Sequence, residues 1–337
     1  MKRILVILML SCLQQFLYGQ NFNYSILESS PLQMNPALAG NVITSNRNHI
    51  PAKNRTSERL CAVYQNSKTI HEKASFFSYD ARLGKIGAGI GAIMEYQRIG
   101  NGLLSNYALK VIYNSQHWIG FKTRISMAIQ PGLEHKTFDR SHIRFSDVEK
   151  PFTSFNPVYY DSLPFRGESY PSYKSYFTLG AGLVLTNPVY QIGLSFQNIN
   201  QPNWAISRDT RQIKPIQYTL HGKLRLMQLS KDQVSGENNR IDLQTLYTVQ
   251  NGGKIFIGGL LARYYAFIGG LSYSYKDVYG FKGQSAICQL GFLTGSLHLL
   301  YGAEVLKANS SGQVSVQHSF SIILNTFKMT NTFTPNF

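Results

Sequence analysis

Residues 84–114 read GKIGAGIGAIMEYQRIGNGLLSNYALKVIYN, and the spacing of the apolar residues in this stretch decides the fold. Apolar side chains recur at every second position in both halves, and the alternate positions hold mostly glycine or polar residues. A period of two is the period of a β-strand. The Gly100-Asn101-Gly102 sequence in the middle favours a tight turn. The stretch therefore predicts an antiparallel hairpin with one apolar and one polar face.

The two arms of this hairpin are long. Each is at or above the roughly 9–11 residues that a tilted strand needs to cross a bilayer, whereas strands of soluble proteins usually have about 5–6 residues. A long hairpin of this kind fits an outer-membrane barrel, and it also fits a large soluble β-sandwich. The remaining segments distinguish the two.

Fourteen strand-like segments follow one another between residues 58 and 327. The even number is that of a single-chain outer-membrane barrel. If the first strand starts at the periplasm, the long connections at residues 135–172, 200–214, 276–283 and 307–312 all face outward, as is usual in such barrels. A connection near residues 230–239 is an exception. The sequence therefore predicts an all-β protein, a closed antiparallel transmembrane β-barrel of about 14 strands with an N-terminal periplasmic coil segment.

The beginning of the chain predicts export to the outer membrane. Lys2 and Arg3 precede a short apolar run, and Gly19 offers a cleavage site, so residues 1–19 have the pattern of a signal peptide. Lipid attachment at Cys12 is the rival interpretation. No later stretch approaches the roughly 18 consecutive apolar residues of a membrane-spanning helix.

We predict three parts after the signal peptide: an N-terminal coil of residues 20–57, a barrel of residues 58–328 and a C-terminal extension of residues 329–337. The coil is expected to dock against the barrel. Its two prolines fix φ, which lowers the entropy lost on docking. The residues expected to support docking are Pro31, Leu32, Met34, Pro36 and Leu38.

The chain is basic, with a formal net charge of +16. This charge suits anionic lipid headgroups or an acidic partner, and an exported chain without a nucleic-acid motif is not expected to bind nucleic acid. The residues predicted to face the lumen include more basic than acidic side chains, which leads to the hypothesis that the lumen holds an acidic peptide. That predicted set is Lys85, Glu95, Gln97, Lys110, Lys122, Arg124, Gln130, Lys223, Arg225, Asp242 and Gln244.

No motif predicts catalysis, a cofactor or a metal site. The histidines are scattered, and neither GxSxG, HExxH nor a phosphate-binding glycine loop occurs. We therefore expect a protein that is not an enzyme. Cys61 and Cys288 follow the signal peptide, and they either pair in an oxidising compartment or stay as two buried thiols.

Three short stretches resemble the PorP/SprF family, outer-membrane proteins of the type IX secretion and gliding apparatus. They are PLQMNPALAG at residues 31–40, LGKIGAGIGAIMEYQRIG at residues 83–100, and residues 138–148 with Phe145-Ser146-Asp147. The resemblance implies a protein that assists export or surface attachment of proteins with a C-terminal sorting domain. It also implies a periplasmic peptidoglycan-binding partner. An outer-membrane channel or transporter for small or hydrophobic solutes is the alternative.

Two groups of residues are predicted to contact partners. The first lies in the N-terminal coil and comprises Leu32, Met34, Asn35 and Pro36. The second lies in the longest external loop, where aromatic residues stand near arginine, a composition typical of protein interfaces. It comprises Phe145, Phe152, Phe155, Tyr159, Tyr160 and Arg166. The same loop could instead fold inward and close the pore.

Overall fold

A computed structural model of the chain describes most of the region from residue 26 to residue 329. The described residues are 26–41, 55–67, 71–83, 87–120, 122–139, 173–206, 211–231, 238–278, 281–294, 296–308 and 314–329. In these ranges, no helix has both the length and the apolar character needed to cross a membrane.

Fourteen antiparallel strands form one closed barrel, in which each strand pairs with its neighbours in sequence and β1 pairs with β14. The strands are β1 (Arg55–Ser67), β2 (Glu72–Leu83), β3 (Ala88–Ile99), β4 (Leu104–Ile119), β5 (Thr123–Phe138), β6 (Tyr173–Thr186), β7 (Tyr190–Gln197), β8 (Gln217–Lys231), β9 (Asn238–Gln250), β10 (Gly253–Tyr264), β11 (Phe267–Val278), β12 (Phe281–Thr294), β13 (Leu297–Ala308) and β14 (Val314–Met329). A short helix, α1 (Pro31–Met34), and a 3₁₀ turn at Pro36–Leu38 precede them.

The two faces of the barrel differ in polarity, as the period-two pattern predicts. Met94, Leu109 and Val111 point outward with half or more of their surface exposed, whereas the adjacent residues Ile93 and Lys110 are buried inside. The outer face is apolar around the ring and includes Met127, Ile129, Leu133, Phe177, Leu220, Leu260, Leu271, Leu290 and Phe320. The inner face carries buried polar residues such as Ser78, Asp80, Asn114, Ser126, Gln130, Ser195, Asp242, Ser274, Gln289 and Ser319.

The prediction of a closed 14-strand barrel is confirmed. The predicted hairpin forms as β3 and β4, with Tyr96 opposite Tyr107 and the glycine turn at residues 100–102. The predicted start of the longest external loop, at residue 135, is wrong, because β5 continues to Phe138. Residues 173–180 of β6 pair with β5 but not with β7. The β5–β6 hairpin therefore extends further than β7 at the rim with the long connections.

The two longest connections lie at the same rim. The prediction of a long external connection at residues 276–283 is wrong, because only two residues separate β11 from β12. The connections at residues 139–172 and 198–216 lie at one rim, and those at residues 120–122, 187–189 and 265–266 lie at the other. The apparent exception near residues 230–239 shortens to 232–237, because β8 and β9 run further than the sequence pattern indicates. Long external loops and short periplasmic turns are typical of outer-membrane barrels.

Cys61 and Cys288 are free thiols on different faces of the barrel. Cys61 is buried, as expected for an unpaired core cysteine, but Cys288 is exposed. The expectation of two buried thiols is therefore wrong for Cys288. Cys61 pairs with Ile323 of β14, and Cys288 pairs with Leu271 of β11 and Ala303 of β13, which places the two thiols on well-separated strands.

Candidate functional site: the barrel lumen

The N-terminal segment, residues 26–41, lies inside the barrel. Asn41 contacts Thr186 at the periplasmic end of β6. Gln33 accepts a hydrogen bond from Gln197 at the opposite, external end of β7. Before Gln33 the chain turns back, since Glu28 reaches Arg263 near the inner end of β10. The segment therefore forms a bend whose tip points toward the rim with the long connections, while its Asn41 end lies near the opposite, periplasmic rim and Ile26 packs against Gly302 in the middle of β13.

Glycines allow the backbone of this segment to pack directly against the backbone of the barrel strands, which form the wall of the lumen. A Cβ atom at Gly89 would overlap the carbonyl oxygen of Ala39 and lie 2.7 Å from its carbonyl carbon. Gly40 has a φ of +67°, a left-handed conformation that favours glycine, and a Cβ there would lie 2.8 Å from the Gly89 Cα. A Cβ at Gly91 would touch Leu32 at 3.4 Å. The small residues on the inner face of β3 are thus explained by the segment packed against them.

Side chains of the wall donate hydrogen bonds to main-chain carbonyls of the segment. Asn114 Nδ2 donates to Ala37 O at 3.0 Å and to Ala39 O at 2.7 Å, and Gln116 Nε2 also donates to Ala39 O, at 3.1 Å. At the outer end, Ser195 Oγ donates to Met34 O at 2.9 Å and Gln197 Nε2 donates to Gln33 O at 3.0 Å. These bonds satisfy buried carbonyls that would otherwise cost about 1–3 kcal/mol each. They recognise a peptide backbone and do not depend on its side chains.

Asn35 is the side chain of the segment that is most fully engaged. Its Nδ2 atom lies 3.1 Å from Leu183 O, Leu194 O and His221 Nε2, while its Oδ1 atom accepts a hydrogen bond from Ala37 N at 2.9 Å. A Cβ atom at Gly182, on β6, would overlap Asn35 Oδ1. The wall therefore has a recess that fits one asparagine, at the position where the chain passes from α1 into the 3₁₀ turn.

An ion pair on the wall also holds the segment. Arg59 Nε lies 2.9 Å from Asp80 Oδ1, and the second carboxylate oxygen of Asp80 accepts a hydrogen bond from Gly40 N at 2.7 Å. Arg59 Nη2 donates to Leu38 O at 3.3 Å. Asp80 is completely buried, so its charge is balanced by Arg59 and by this main-chain donor.

A second ionic cluster surrounds Glu28. Its carboxylate accepts hydrogen bonds from Lys223, from Gln244 at 2.6 Å and from Arg263 at 2.7 Å. Burial alone would raise the pKa of Glu28, but the charges of Lys223 and Arg263 outweigh it and hold this pKa well below its usual range. Glu28 is therefore ionised at neutral pH and binds the segment to β8, β9 and β10.

The described parts of the connection between β7 and β8, residues 198–206 and 211–216, pack against inward-facing residues at the ends of β5 and β6. The Lys214 Nζ atom lies 2.6 Å from the Glu134 carboxylate, and Tyr176 donates to the same carboxylate at 2.7 Å. The ammonium of Lys136 lies 3.8 Å from the ring centroid of Trp204, which is a cation–π contact. The loop that the sequence predicted could fold inward, residues 135–172, lies outside the described residues from residue 140 onward. Residues 198–206 and 211–216, which belong to the next connection at the same rim, contact the lumen wall.

A small cavity remains between the tip of the segment and this outer loop. Its volume of about 60 Å³ is enough for a few water molecules. Leu27, Gln33 and Met34 form its floor, and Lys110 and Lys214 contribute to its wall. Two ion pairs, Lys110–Glu95 at 3.0 Å and Lys214–Glu134, border the cavity, so it is polar and its charges are paired.

The predicted contact residues fall into two groups. Leu32, Asn35 and Pro36 are buried in the lumen and Met34 is partly buried, so in this state all four contact the barrel. Phe145, Phe152, Phe155, Tyr159, Tyr160 and Arg166 lie outside the described residues. Glu28 was missed, because a single acidic residue in a segment without periodicity gives no signal in the sequence.

The lumen of the described residues does not have the composition of a metal centre. No group of three or more histidine, cysteine or acidic side chains that could hold a metal occurs in the described ranges. His221, a buried histidine, lies beside Asn35 and contributes to the recess for that side chain. The arrangement can bind peptide backbone and one carboxylate.

The sequence matches the model of the type IX secretion system membrane protein PorP/SprF over residues 17–324. No curated protein shows significant similarity to the chain. Among solved structures, the chain is similar to the CymD monoaromatic hydrocarbon channel, with a TM-score of 0.50 and 11% identity over 91% of this chain and 94% of CymD. It is also similar to the Pseudomonas putida toluene transporter TodX, with a TM-score of 0.45 and 10% identity over 93% of this chain and 99% of TodX.

At these identities, the similarity to solved structures concerns the barrel fold alone. The family and the fold together place the protein in the outer membrane. The matched residues include the N-terminal segment and extend into the last strand, β14. The protein belongs to the PorP/SprF family of type IX secretion system membrane proteins.

Proposed function

We propose that this protein assists the export or surface attachment of proteins that carry a C-terminal sorting domain. The observation that carries the proposal is the family membership over residues 17–324. The occupied lumen supports it, because a barrel filled by its own chain is suited to binding or anchoring and poorly suited to free diffusion. No chemistry by the barrel itself is required for this role.

The alternative is a channel or transporter for small or hydrophobic solutes. A solute moving through the lumen would have to pass residues 26–41 and the outer loop at residues 198–216, both of which are held by hydrogen bonds and ion pairs. The structural similarity to CymD concerns the fold and does not transfer a substrate. We therefore favour the secretion role.

Two surfaces are the proposed contacts. Residues 148–166 of the longest external loop, with their aromatic residues and Arg166, are proposed to meet the exported protein. The periplasmic rim, where the Asn41 end of the N-terminal segment lies, is proposed to meet a peptidoglycan-binding component. Leu32, Met34, Asn35 and Pro36 could contact a partner only after the segment leaves the lumen, because most of their surface is covered by the barrel.

The test is a deletion strain analysed by surface proteomics, together with planar-bilayer recordings of the purified protein. Loss of surface proteins with a C-terminal sorting domain, and no steady open-pore current, is the expected result. Normal surface proteins with a steady current would instead support the solute channel. A variant that lacks residues 148–166 then locates the contact, provided that heat-modifiable gel mobility shows a folded barrel. Lost cargo with unchanged conductance supports this loop as the contact surface.

A further inference from the structure

The Glu28 cluster contains more positive than negative charge on the barrel wall. Lys223, Arg240 and Arg263 are the cations, and Asp242 is the wall carboxylate that lies 3.0 Å from Arg240 and 3.5 Å from Lys223. Glu28 supplies the second carboxylate from the N-terminal segment. Without it, three cations would face a single carboxylate inside the barrel.

A surplus of positive charge in a partly desolvated lumen is unfavourable unless an anion compensates it. The side chains of Glu28, Lys223 and Arg263 are 18%, 21% and 20% exposed, so solvent already reaches the cluster. Removal of Glu28 would therefore leave an accessible site with two charged donors and the Gln244 amide, all of which already bind a carboxylate. The positions of these donors fit a carboxylate because one is bound there.

The part of the segment that follows residues 26–30 stays in place in this exchange. Asn114, Gln116, Ser195 and Gln197 donate to carbonyls of residues 33–39, so these donors remain occupied when only residues 26–30 withdraw. The vacated space therefore offers an anchor for one carboxylate of an incoming peptide.

We propose that Lys223, Gln244 and Arg263 form a carboxylate-binding site, with Arg240 nearby on Asp242, that Glu28 fills in the closed barrel and that an acidic residue of an exported polypeptide fills when residues 26–30 withdraw. The choice of an exported polypeptide as occupant rests on the proposed function. The site itself rests on the contacts of Glu28. Residues 26–30 are then a resident ligand that competes with the incoming peptide.

The binding test uses the full chain with Glu28→Ala and two fluorescent peptides, acetyl-ILESS-amide and acetyl-ILQSS-amide. The first has the sequence of residues 26–30, and the second replaces its carboxylate by an amide. We expect the acidic peptide to bind the purified variant at least ~10-fold more tightly than its neutral counterpart, since a hydrogen-bonded charge pair contributes about 1.5–3 kcal/mol. Addition of Arg263→Met should reduce this preference to less than ~3-fold.

Two controls define the site. Wild-type protein should bind the acidic peptide at least ~10-fold more weakly than the variant, because Glu28 occupies the cluster. Glu72→Ala removes a carboxylate whose partner is Gln97, on another part of the wall, and should not create binding. If Glu28→Ala yields no heat-modifiable barrel, Glu28→Ser serves in its place. Equal binding of the two peptides, or no binding to a folded variant, would overturn the site.

A cellular measurement separates this inference from the proposed function. Arg263→Met alone, introduced into the deletion strain, should lower the amount of cargo on the surface to between that of the wild type and that of the deletion. Wild-type levels of cargo, combined with carboxylate-selective binding in vitro, would rule out an exported polypeptide as the occupant. A deletion strain with normal surface proteins would contradict the proposed function and leave the binding result intact.

Discussion

The two halves of the N-terminal segment are held in the lumen by different forces. Residues 26–30 are held by Glu28, whose partners lie on three consecutive strands, and by the buried side chain of Ile26, which packs against Gly302. Residues 31–41 depend on close packing against Gly89 and on hydrogen bonds from side chains such as Asn114 to their main chain. Only the first half is held through an ionised side chain of its own.

This difference indicates which half can move. An ionic contact that is partly exposed to solvent weakens with salt and can be exchanged for another carboxylate. Buried main-chain hydrogen bonds and backbone contacts have no such replacement, because opening them leaves unsatisfied groups. We therefore expect residues 26–30 to open first and residues 31–41 to stay docked.

The largest effect should come from Gly89→Ala. The added Cβ overlaps the Ala39 carbonyl, and both partners are backbone, so neither can move aside at low cost. We expect a loss near the upper end of the roughly 1–3 kcal/mol that overpacking costs. Cleavage by proteinase K within residues 31–41 of the folded barrel should accelerate ~100-fold.

Gly269→Ala is the matched control for this experiment. It adds the same methyl group to β11, where the nearest atom, Leu290 Cδ2, is 4.0 Å away. Cleavage of this variant should stay within about twofold of the wild type. Equal cleavage of the two variants would show that close approach to Gly89 does not hold the second half of the segment.

Asn35→Ala should have the next largest effect. The substitution removes the donor that Leu183 O and Leu194 O share with His221 in the asparagine recess, at a cost of about 2 kcal/mol. The same proteolysis assay should show cleavage ~30-fold faster than in the wild type. Asn200→Ala is the control, since Asn200 also bonds main-chain groups, at Phe177 and Leu179, but on the exposed outer loop. A similar rate in both variants would contradict the role of the asparagine recess.

Acid should have the smallest effect of the three changes. At pH 3 we expect the fraction of molecules in which residues 26–30 have left their site to rise on the order of tenfold. Since the docked Glu28 has a lowered pKa, its contribution to docking is complete above the ordinary carboxyl pKa of about 4.3. It is lost as the pH falls through the lower pKa of the docked state. A nitroxide on Leu27→Cys, with Cys61 and Cys288 replaced by serine, should report constant mobility from pH 8 to pH 5 and rising mobility below pH 4.

Glu28→Gln provides the reference for the pH experiment. Other ionisable groups around Glu28 are Lys223, Arg240, Asp242, Arg263 and His298. The variant retains all of them, so any acid response that remains in it comes from those groups. An identical pH response in the variant and the wild type would refute the assignment of the effect to Glu28.

The sequence was sufficient to predict the barrel, because an outer face in lipid requires an apolar residue at every second position. That requirement is met at Met94, Leu109 and Val111, and the strand register follows from it. The extent of β5 was not predictable in the same way. Residues 135–138 continue the strand beyond the end of β7, where lipid no longer dictates the pattern.

The contents of the lumen were predictable only in part. The prolines of the coil and its apolar residues suggested a docked segment, but nothing in the sequence indicated that Gly89 faces Ala39 or that Glu28 faces Arg263. These contacts join residues far apart in the chain, and their residue types also occur in ordinary loops. The basic tendency of the lumen was visible, whereas the position of its anion was not.

The pairing of β1 with β14 has a consequence for the order of assembly. Residues 26–41 lie inside a ring that is closed by the pairing of residues 55–67 with residues 317–329. Joining such distant strands is entropically costly and slow, so this seam is expected to close late. If residues 26–41 are outside the barrel when β1 pairs with β14, they can no longer enter between two strands. They must then enter through the opening at the periplasmic rim. Barrels refolded in detergent should therefore include a long-lived isomer that is closed around an empty lumen.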